Sequence, residues 1–161
     1  MDGTVKQLVS QKGADVTVIG PGVTLTECAK LMKEKNIGSL LVVSDGELKG
    51  LLRERDICRR AVCLGLSMTT TPVSKIMDEE FPIVTPRTSI MDAMAIINSQ
   101  RVRHLPVLDN GEIQGLISIG DLTKWVLSLQ QQDIKHLINY INGTQNLNDD
   151  DNGSSHNDNL F

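Results

Sequence analysis

The stretch LLVVSDGELKGLLRERD at residues 40–56 is matched without a gap by LPVLDNGEIQGLISIGD at residues 105–121. The two stretches lie 65 positions apart (105 − 40 = 65), and the correspondence extends outward to Val16–Val62 and Phe81–Leu127. Apolar residues and turn residues stay in phase along both copies. A repeat of this size predicts two similar half-modules that pack against each other, with a crevice between them where a ligand can bind.

Each copy predicts the element order β-α-β-β-α. In the first copy, a short strand at Val16–Ile19 precedes a helix that begins at Thr24, where Glu27 completes a capping box. A buried strand, an Asp-Gly turn and a returning strand then predict a hairpin. A second helix is expected from about Glu54 to Cys63.

The second copy gives the same order with different residues. Its strand is Ile83–Val84, its first helix is capped by Ser89, its hairpin turns at Asn110-Gly111, and its closing helix is Gly120–Leu129. The class is therefore α+β. The expected segments are a lead-in helix (residues 1–15), the first repeat (16–64), a linker (65–80), the second repeat (81–132), a C-terminal helix at Ile134–Ile141 (within 133–143) and a polar, disordered tail (144–161).

Composition and charge exclude several functions. Of 20 acidic residues, four lie in the tail, so the rest of the chain balances its 16 bases, and aromatic residues make up only 2%. A neutral body with few aromatic side chains does not favour nucleic-acid binding. No apolar run reaches the roughly 20 residues of a membrane span. The three cysteines lack CxxC spacing, which favours free thiols in a reducing compartment, and we expect a cytoplasmic protein.

The element order, the strand Leu105-Pro106-Val107 and the run from Gly115 to Asp121 resemble a tandem pair of cystathionine-β-synthase (CBS) domains. The resemblance covers about Val16–Leu129. The lead-in Thr4–Leu8 and the stretch His136–Ile141 are similar to those of stand-alone bacterial two-repeat proteins and their plant relatives. The resemblance implies two repeats paired about a pseudo-two-fold axis, an arrangement called a Bateman module, with clefts that bind adenosine derivatives.

The family signature is Gly, two apolar residues, Ser or Thr, two variable residues and Asp. The second copy carries all of it as Gly115, Ser118 and Asp121. The resemblance implies that Asp121 accepts hydrogen bonds from the ribose hydroxyls, a task similar to that of the acidic residue in dinucleotide folds, and that Ser118 holds the ribose or a phosphate. Ser and Asp at this spacing also make an ordinary helix-capping box, so both interpretations stay open.

Other contacts are implied by the same resemblance. Ile83 and Val84 would flank the adenine or hydrogen-bond to it through backbone groups, and the helix start at Gly120 would present backbone N–H groups to a phosphate. Arg103 and His104 precede the strand Leu105–Val107, a position typical of phosphate contacts near the central axis. A surface arginine and a hydrogen-bonded structural histidine are the alternative interpretation.

The first copy departs from the signature because Arg53 stands where Ser or Thr is expected, although Asp56 is kept. Arg53 can either bind a phosphate through both guanidinium nitrogens or fill the cleft. We expect a weakened or altered first site. Arg55 is a further candidate for an anion contact, with a plain surface charge as the alternative.

No catalytic or metal-binding constellation is present in the sequence. The histidines at 104, 136 and 156 lie far apart, and Gly-rich phosphate loops are absent. We therefore expect no enzyme, no metal and no obligatory cofactor. The predicted function is a sensor that binds AMP, ADP or ATP, with AMP first, and signals in trans to an unidentified protein, as a homodimer. The alternatives are an oligomerisation scaffold with empty clefts and a regulator whose nucleotide only stabilises the fold.

Overall fold

The computed structural model describes residues 3–13 and 15–149. Its first half contains α1 (Val5–Lys12), β1 (Val18–Ile19), α2 (Leu25–Lys35), β2 (Ser39–Ser44), β3 (Glu47–Arg53) and α3, which is α-helical over Glu54–Asp56 and π-helical over Ile57–Val62. A 3₁₀ turn at Val73–Lys75 lies in the linker. The second half contains α4 (Ile90–Gln100), β4 (His104–Asp109), β5 (Glu112–Ser118) and α5 (Ile119–Asp149). The predicted α+β class is confirmed.

Each repeat is built on a hairpin. In the first, β1 pairs in parallel with β2, and β2 pairs antiparallel with β3. In the second, β4 pairs antiparallel with β5, and the strand predicted at Ile83–Val84 is reduced to a parallel bridge between Val84 and Val107. Both residues of the Asn110-Gly111 turn have positive φ angles (50° and 85°), as a two-residue type I′ hairpin requires.

The helices pack through the apolar stripes that the sequence predicts. Leu25, Cys28 and Met32 of α2 are buried against the hairpin of the first repeat. In α4, Ile90, Ala93 and Ile97 are buried in the corresponding positions. The helix starts are also duplicated, because Thr24 and Ser89 each accept a hydrogen bond from the third residue of the helix that follows.

The segments that precede the two repeats are exchanged between them, because each segment packs on the other repeat and not on the one that it precedes. Before the first repeat, Thr4 bridges to Ser89, and the Val5 N–H donates to the Thr88 carbonyl at 2.9 Å. Before the second repeat, Pro72 bridges to Thr24, and the Val73 N–H donates to the Val23 carbonyl at 2.8 Å. The lead-in helix α1 therefore packs on the second repeat, while the linker packs on the first.

The two signature glycines make room for these exchanged segments. A Cβ atom on Gly115 would lie 3.2 Å from both methyl groups of Val9 in α1. A Cβ atom on Gly50 would lie 2.5 Å from the sulfur of Met77 in the linker. Close packing of a neighbouring segment thus explains why both repeats have glycine here.

The end of the chain differs from the sequence prediction. Separate helices were expected at Gly120–Leu129 and Ile134–Ile141, but α5 is continuous over Ile119–Asp149. The junction at 130–132 is three glutamines, which favour helix, and no proline interrupts it. The helix extends to Asp149, past the predicted start of the tail at 144, and residues 150–161 lie outside the described residues. The repeats as far as Leu122 form one compact unit, and the chain from Thr123 belongs to another.

Candidate functional site

The second-repeat signature lies where β5 ends and α5 begins. The backbone N–H and hydroxyl of Ser118 donate to Asp121 Oδ2 at 2.8 and 2.7 Å, and the Asp121 N–H donates to Ser118 Oγ at 3.2 Å. These bonds form the capping box that was one interpretation of the spacing. The box holds the carboxylate in one orientation, so it is compatible with a binding role for Asp121.

A lysine that the sequence analysis missed contacts the same carboxylate. Lys12, at the end of α1, donates from Nζ to Asp121 Oδ2 at 2.6 Å and to the Leu116 carbonyl at 3.0 Å. Burial opposes ionisation of Asp121, but the hydrogen bonds from Lys12 and Ser118 outweigh it and hold its pKa below the ordinary value. The signal was present in the sequence, because Lys12 continues the stripe of Val5, Leu8 and Val9 at helical spacing.

A cavity of about 290 Å³ opens beside these residues. One side comes from the second repeat, through His104, Leu116 and Ser118, and Lys12 also lines it. The other side belongs to the first repeat and the segment that leads into it: Asp15, Val16, Thr17, Asn36, Ile37, Gly38 and Ser39. The cavity therefore lies between the two repeats, which is where the sequence predicts a ligand crevice.

Ile83 and Val84 are not among the residues that line this cavity, so their contact with the adenine stays a prediction. The Val84 N–H donates to the Pro106 carbonyl at 3.0 Å, and the Val84 carbonyl accepts from the Leu108 N–H at 2.9 Å, so its backbone groups are already used. Ile83 is 53% exposed. Val16 and Thr17 line the cavity instead, because it is enclosed by the opening segment of the opposite repeat.

His104 has a buried nitrogen that lacks a partner. It is the first residue of β4 and pairs across the ladder with Ser118. Within the described part of the chain, its Nδ1 atom is buried without a hydrogen bond. Burial lowers the pKa of His104, as do the charges of Lys12, Arg53 and Arg103, against an opposing effect of Asp121. A buried polar nitrogen of this kind normally has a hydrogen-bond partner in the protein or an ordered water.

This lowered pKa predicts a pH-dependent stability. The unfolded chain binds a proton on His104 near its ordinary pKa of 6.5, whereas the folded protein binds it only at lower pH. The free energy of unfolding should therefore fall as pH drops below about 6.5, until the folded form is protonated as well. Urea unfolding of wild type and His104→Asn between pH 7.5 and 5 measures this. An equal pH dependence in the two proteins would contradict the assignment.

In the first repeat, the signature residues bind each other. Arg53 Nε donates to Asp56 Oδ2 at 2.8 Å, and Arg53 Nη2 donates to Asp56 Oδ1 at 3.2 Å and to Asp78 Oδ2 at 2.5 Å. The Arg53 and Asp56 side chains are only 8% and 6% exposed. Burial opposes the charge on Arg53, but bonds to both carboxylates outweigh it and raise its pKa. The guanidinium group is thus engaged within the protein, and nothing in the sequence marked Asp78 as its partner.

The remaining predicted residues lie outside the cavity. Burial lowers the pKa of Arg55, and so do the charges of Arg53, Arg59 and Arg103, so basic residues from both repeats share one region. Arg103 is exposed and lines a separate shallow depression. Gly120 is exposed in the first turn of α5.

Other features are independent of the signature. A groove of about 780 Å³, lined among others by Lys6, Val9, Pro86 and Arg87, contains none of the signature residues. Within residues 3–13 and 15–149, no three His, Cys, Asp or Glu side chains are grouped to hold a metal ion. No helix in the described part of the chain is long and apolar enough to cross a membrane.

Two matches to the CBS domain family model cover residues 5–62 and 73–128, and the chain belongs to this family. It is 36% identical over 125 residues to CBS domain-containing protein CBSX3, mitochondrial, of Arabidopsis thaliana, covering 74% of this chain and 61% of that protein. It is 37% identical over 107 residues to CBS domain-containing protein YhcV of Bacillus subtilis, covering 66% and 76%. A solved CBS domain structure, 42% identical, superposes with a TM-score of 0.76 over 79% of this chain and 99% of that one. The chain spans less than two thirds of the length of the plant relative. The predicted resemblance to a tandem pair of CBS domains is confirmed.

Proposed function

We propose that this protein is a non-catalytic regulatory module that binds an adenosine nucleotide in the cavity between its two CBS repeats. The observation that carries the proposal is a cavity lined by residues of both repeats, beside which the Asp121 carboxylate is held by two of the lining residues, Ser118 and Lys12. A ribose diol donates hydrogen bonds, which the carboxylate accepts.

The size of the cavity favours AMP among the nucleotides. At about 290 Å³, it lies at the lower end of the range for small-molecule pockets, roughly 300–1,000 Å³. A monophosphate needs less room than ADP or ATP. We therefore place AMP first and treat ADP and ATP as weaker ligands that extend beyond the cavity.

A ligand in this cavity would contact both repeats, through Val16 and Thr17 on one side and His104 and Ser118 on the other. It would therefore stabilise one arrangement of the repeats over another, which is the requirement for a conformational signal. We propose that this signal acts in trans on a partner protein, in the cytoplasm. Three exposed apolar side chains, Val62, Leu64 and Met91, are available for the proposed homodimer.

Isothermal titration calorimetry with AMP, ADP, ATP, NADH and S-adenosylmethionine tests this function. We expect one site per chain, with AMP the tightest ligand and NADH too large to bind well. If none of the five compounds binds at millimolar concentration, the proposed function fails, and an oligomerisation scaffold with empty clefts replaces it.

A further inference from the structure

The position of Lys12 is fixed by the helix that carries it. In α1, Val5 and Leu8 are buried, with 0% and 5% exposure. The Val9 methyl groups pack against Gly115, and the Lys6 N–H donates to the Pro86 carbonyl at 2.9 Å. The helix is therefore anchored on the second repeat, and its last residue is held beside the signature.

The ammonium group of Lys12 occupies the carboxylate that a ribose would need. Asp121 Oδ2 accepts from Lys12 Nζ at 2.6 Å in addition to its two bonds from Ser118. With three donors on this one oxygen, a ribose diol can bind both carboxylate oxygens only if one donor leaves Oδ2. The two donors of Ser118 belong to the capping box at the start of α5, so Lys12 is the donor that can be displaced.

In the first repeat, the signature carboxylate of Asp56 is bound by a buried arginine and cannot be freed easily. Asp56 is bound by Arg53 with both side chains less than a tenth exposed, and Asp78 holds the same guanidinium group. The Lys12 side chain is 39% exposed and binds a single carboxylate. Moving Lys12 into solvent or onto a ligand is therefore much less costly than extracting Arg53.

We infer that Lys12 is the specificity residue that makes the second-repeat site prefer phosphorylated nucleosides over the free nucleoside. This inference rests on the proposed function. When the ribose takes the Asp121 carboxylate, the displaced ammonium group remains at the cavity wall and pairs with the phosphate of the ligand. Adenosine offers no such anion, so it gains the hydrogen bond to Oδ2 only by displacing Lys12 without compensation.

The phosphate also needs this cation for a second reason. A phosphate entering the cavity without Lys12 would lie near the Asp121 carboxylate with no lysine or arginine among the described residues that line the cavity. Lys12 thus has opposite effects on the two ligands. It penalises adenosine by masking Asp121, and it favours AMP by pairing with the phosphate.

Affinities of AMP and adenosine for wild type and Lys12→Met test the inference. We expect wild type to prefer AMP and Lys12→Met to reduce the AMP-to-adenosine affinity ratio by about tenfold or more, as the loss of one charge-assisted hydrogen bond implies. The lower ratio should arise from weaker AMP binding with equal or tighter adenosine binding. Lys12→Arg keeps the charge and should retain most of the preference.

Lys6→Met is the matched control, because Lys6 is exposed on the same helix but does not line this cavity. It should leave the ratio within about twofold of wild type, and thermal unfolding verifies that each variant is folded. If wild type binds AMP and Lys12→Met keeps the wild-type ratio, the inference is overturned while the proposed function stands. If wild type binds neither compound, the proposed function fails and this inference fails with it.

Discussion

Replacement of Asp121 by alanine is expected to weaken AMP binding about 100-fold. The carboxylate would accept two hydrogen bonds from the ribose, and each bond to a charged group contributes roughly 1.5–3 kcal/mol. Asp56→Ala should change the AMP affinity less than about threefold, because both Asp56 oxygens already bind Arg53, and Arg53, unlike the Asp121 partners Ser118 and Lys12, does not line the cavity. Calorimetric titration of both variants gives the comparison.

Both alanine variants must be folded for their AMP affinities to be compared. Asp121→Ala removes the carboxylate half of the capping box and the Lys12 contact, which should cost about 1–2 kcal/mol of stability and leave the protein folded. Where Asp56→Ala does not fold, Asp56→Asn takes its place. A larger loss of affinity from the Asp56 variant than from Asp121→Ala would move the principal site to the first repeat.

The largest loss of stability is expected from Arg53→Met. Removal of the guanidinium group leaves Asp56, which is 6% exposed, without its cation, and leaves Asp78 without its closest one. Breaking a buried ion pair from one side typically costs about 3–5 kcal/mol, since the remaining charge is buried and unpaired. The free energy of unfolding, from urea denaturation at pH 7, measures the effect.

Lys12→Met is the matched comparison for Arg53→Met. It also removes one cation from a signature carboxylate, but Lys12 is 39% exposed, and partly exposed pairs contribute about 1 kcal/mol or less. The double variant Arg53→Met/Asp56→Asn should recover part of the lost stability, because no unpaired charge remains on Asp56. Equal stability of Arg53→Met and wild type would show that the Arg53 network does not stabilise the fold.

Local patterns were sufficient for the elements of the repeats. The stripe of Leu25, Cys28 and Met32, the cap at Ser89 and the turn at Asn110-Gly111 each depend on residues a few positions apart, and the structure has them where the sequence predicts them. The continuous helix α5 was not predicted, because a break was expected between Leu129 and Ile134, where the three glutamines instead continue the helix.

The candidate site was predicted only in part. Ser118 and His104 line the cavity, and Asp121 joins them through Ser118 and Lys12. Ile83 and Val84, which the resemblance places beside the adenine, do not line the cavity, whereas Val16 and Thr17 in the opening segment of the other repeat do. A repeat shows which positions are equivalent, but not which of two equivalent segments faces a given surface.

The sequence by itself determined the two β-α-β-β-α units, their register and the difference between Arg53 and Ser118 at equivalent positions. Those features follow from helix and strand periodicity and from turn and cap residues, all of which act over short distances along the chain. Only the tertiary structure decided that α1 packs on the second repeat, that Lys12 binds Asp121, and that Asp78 is a second carboxylate partner of Arg53. These contacts join residues 109 and 25 positions apart, so they depend on how the repeats pack, and no local pattern encodes that.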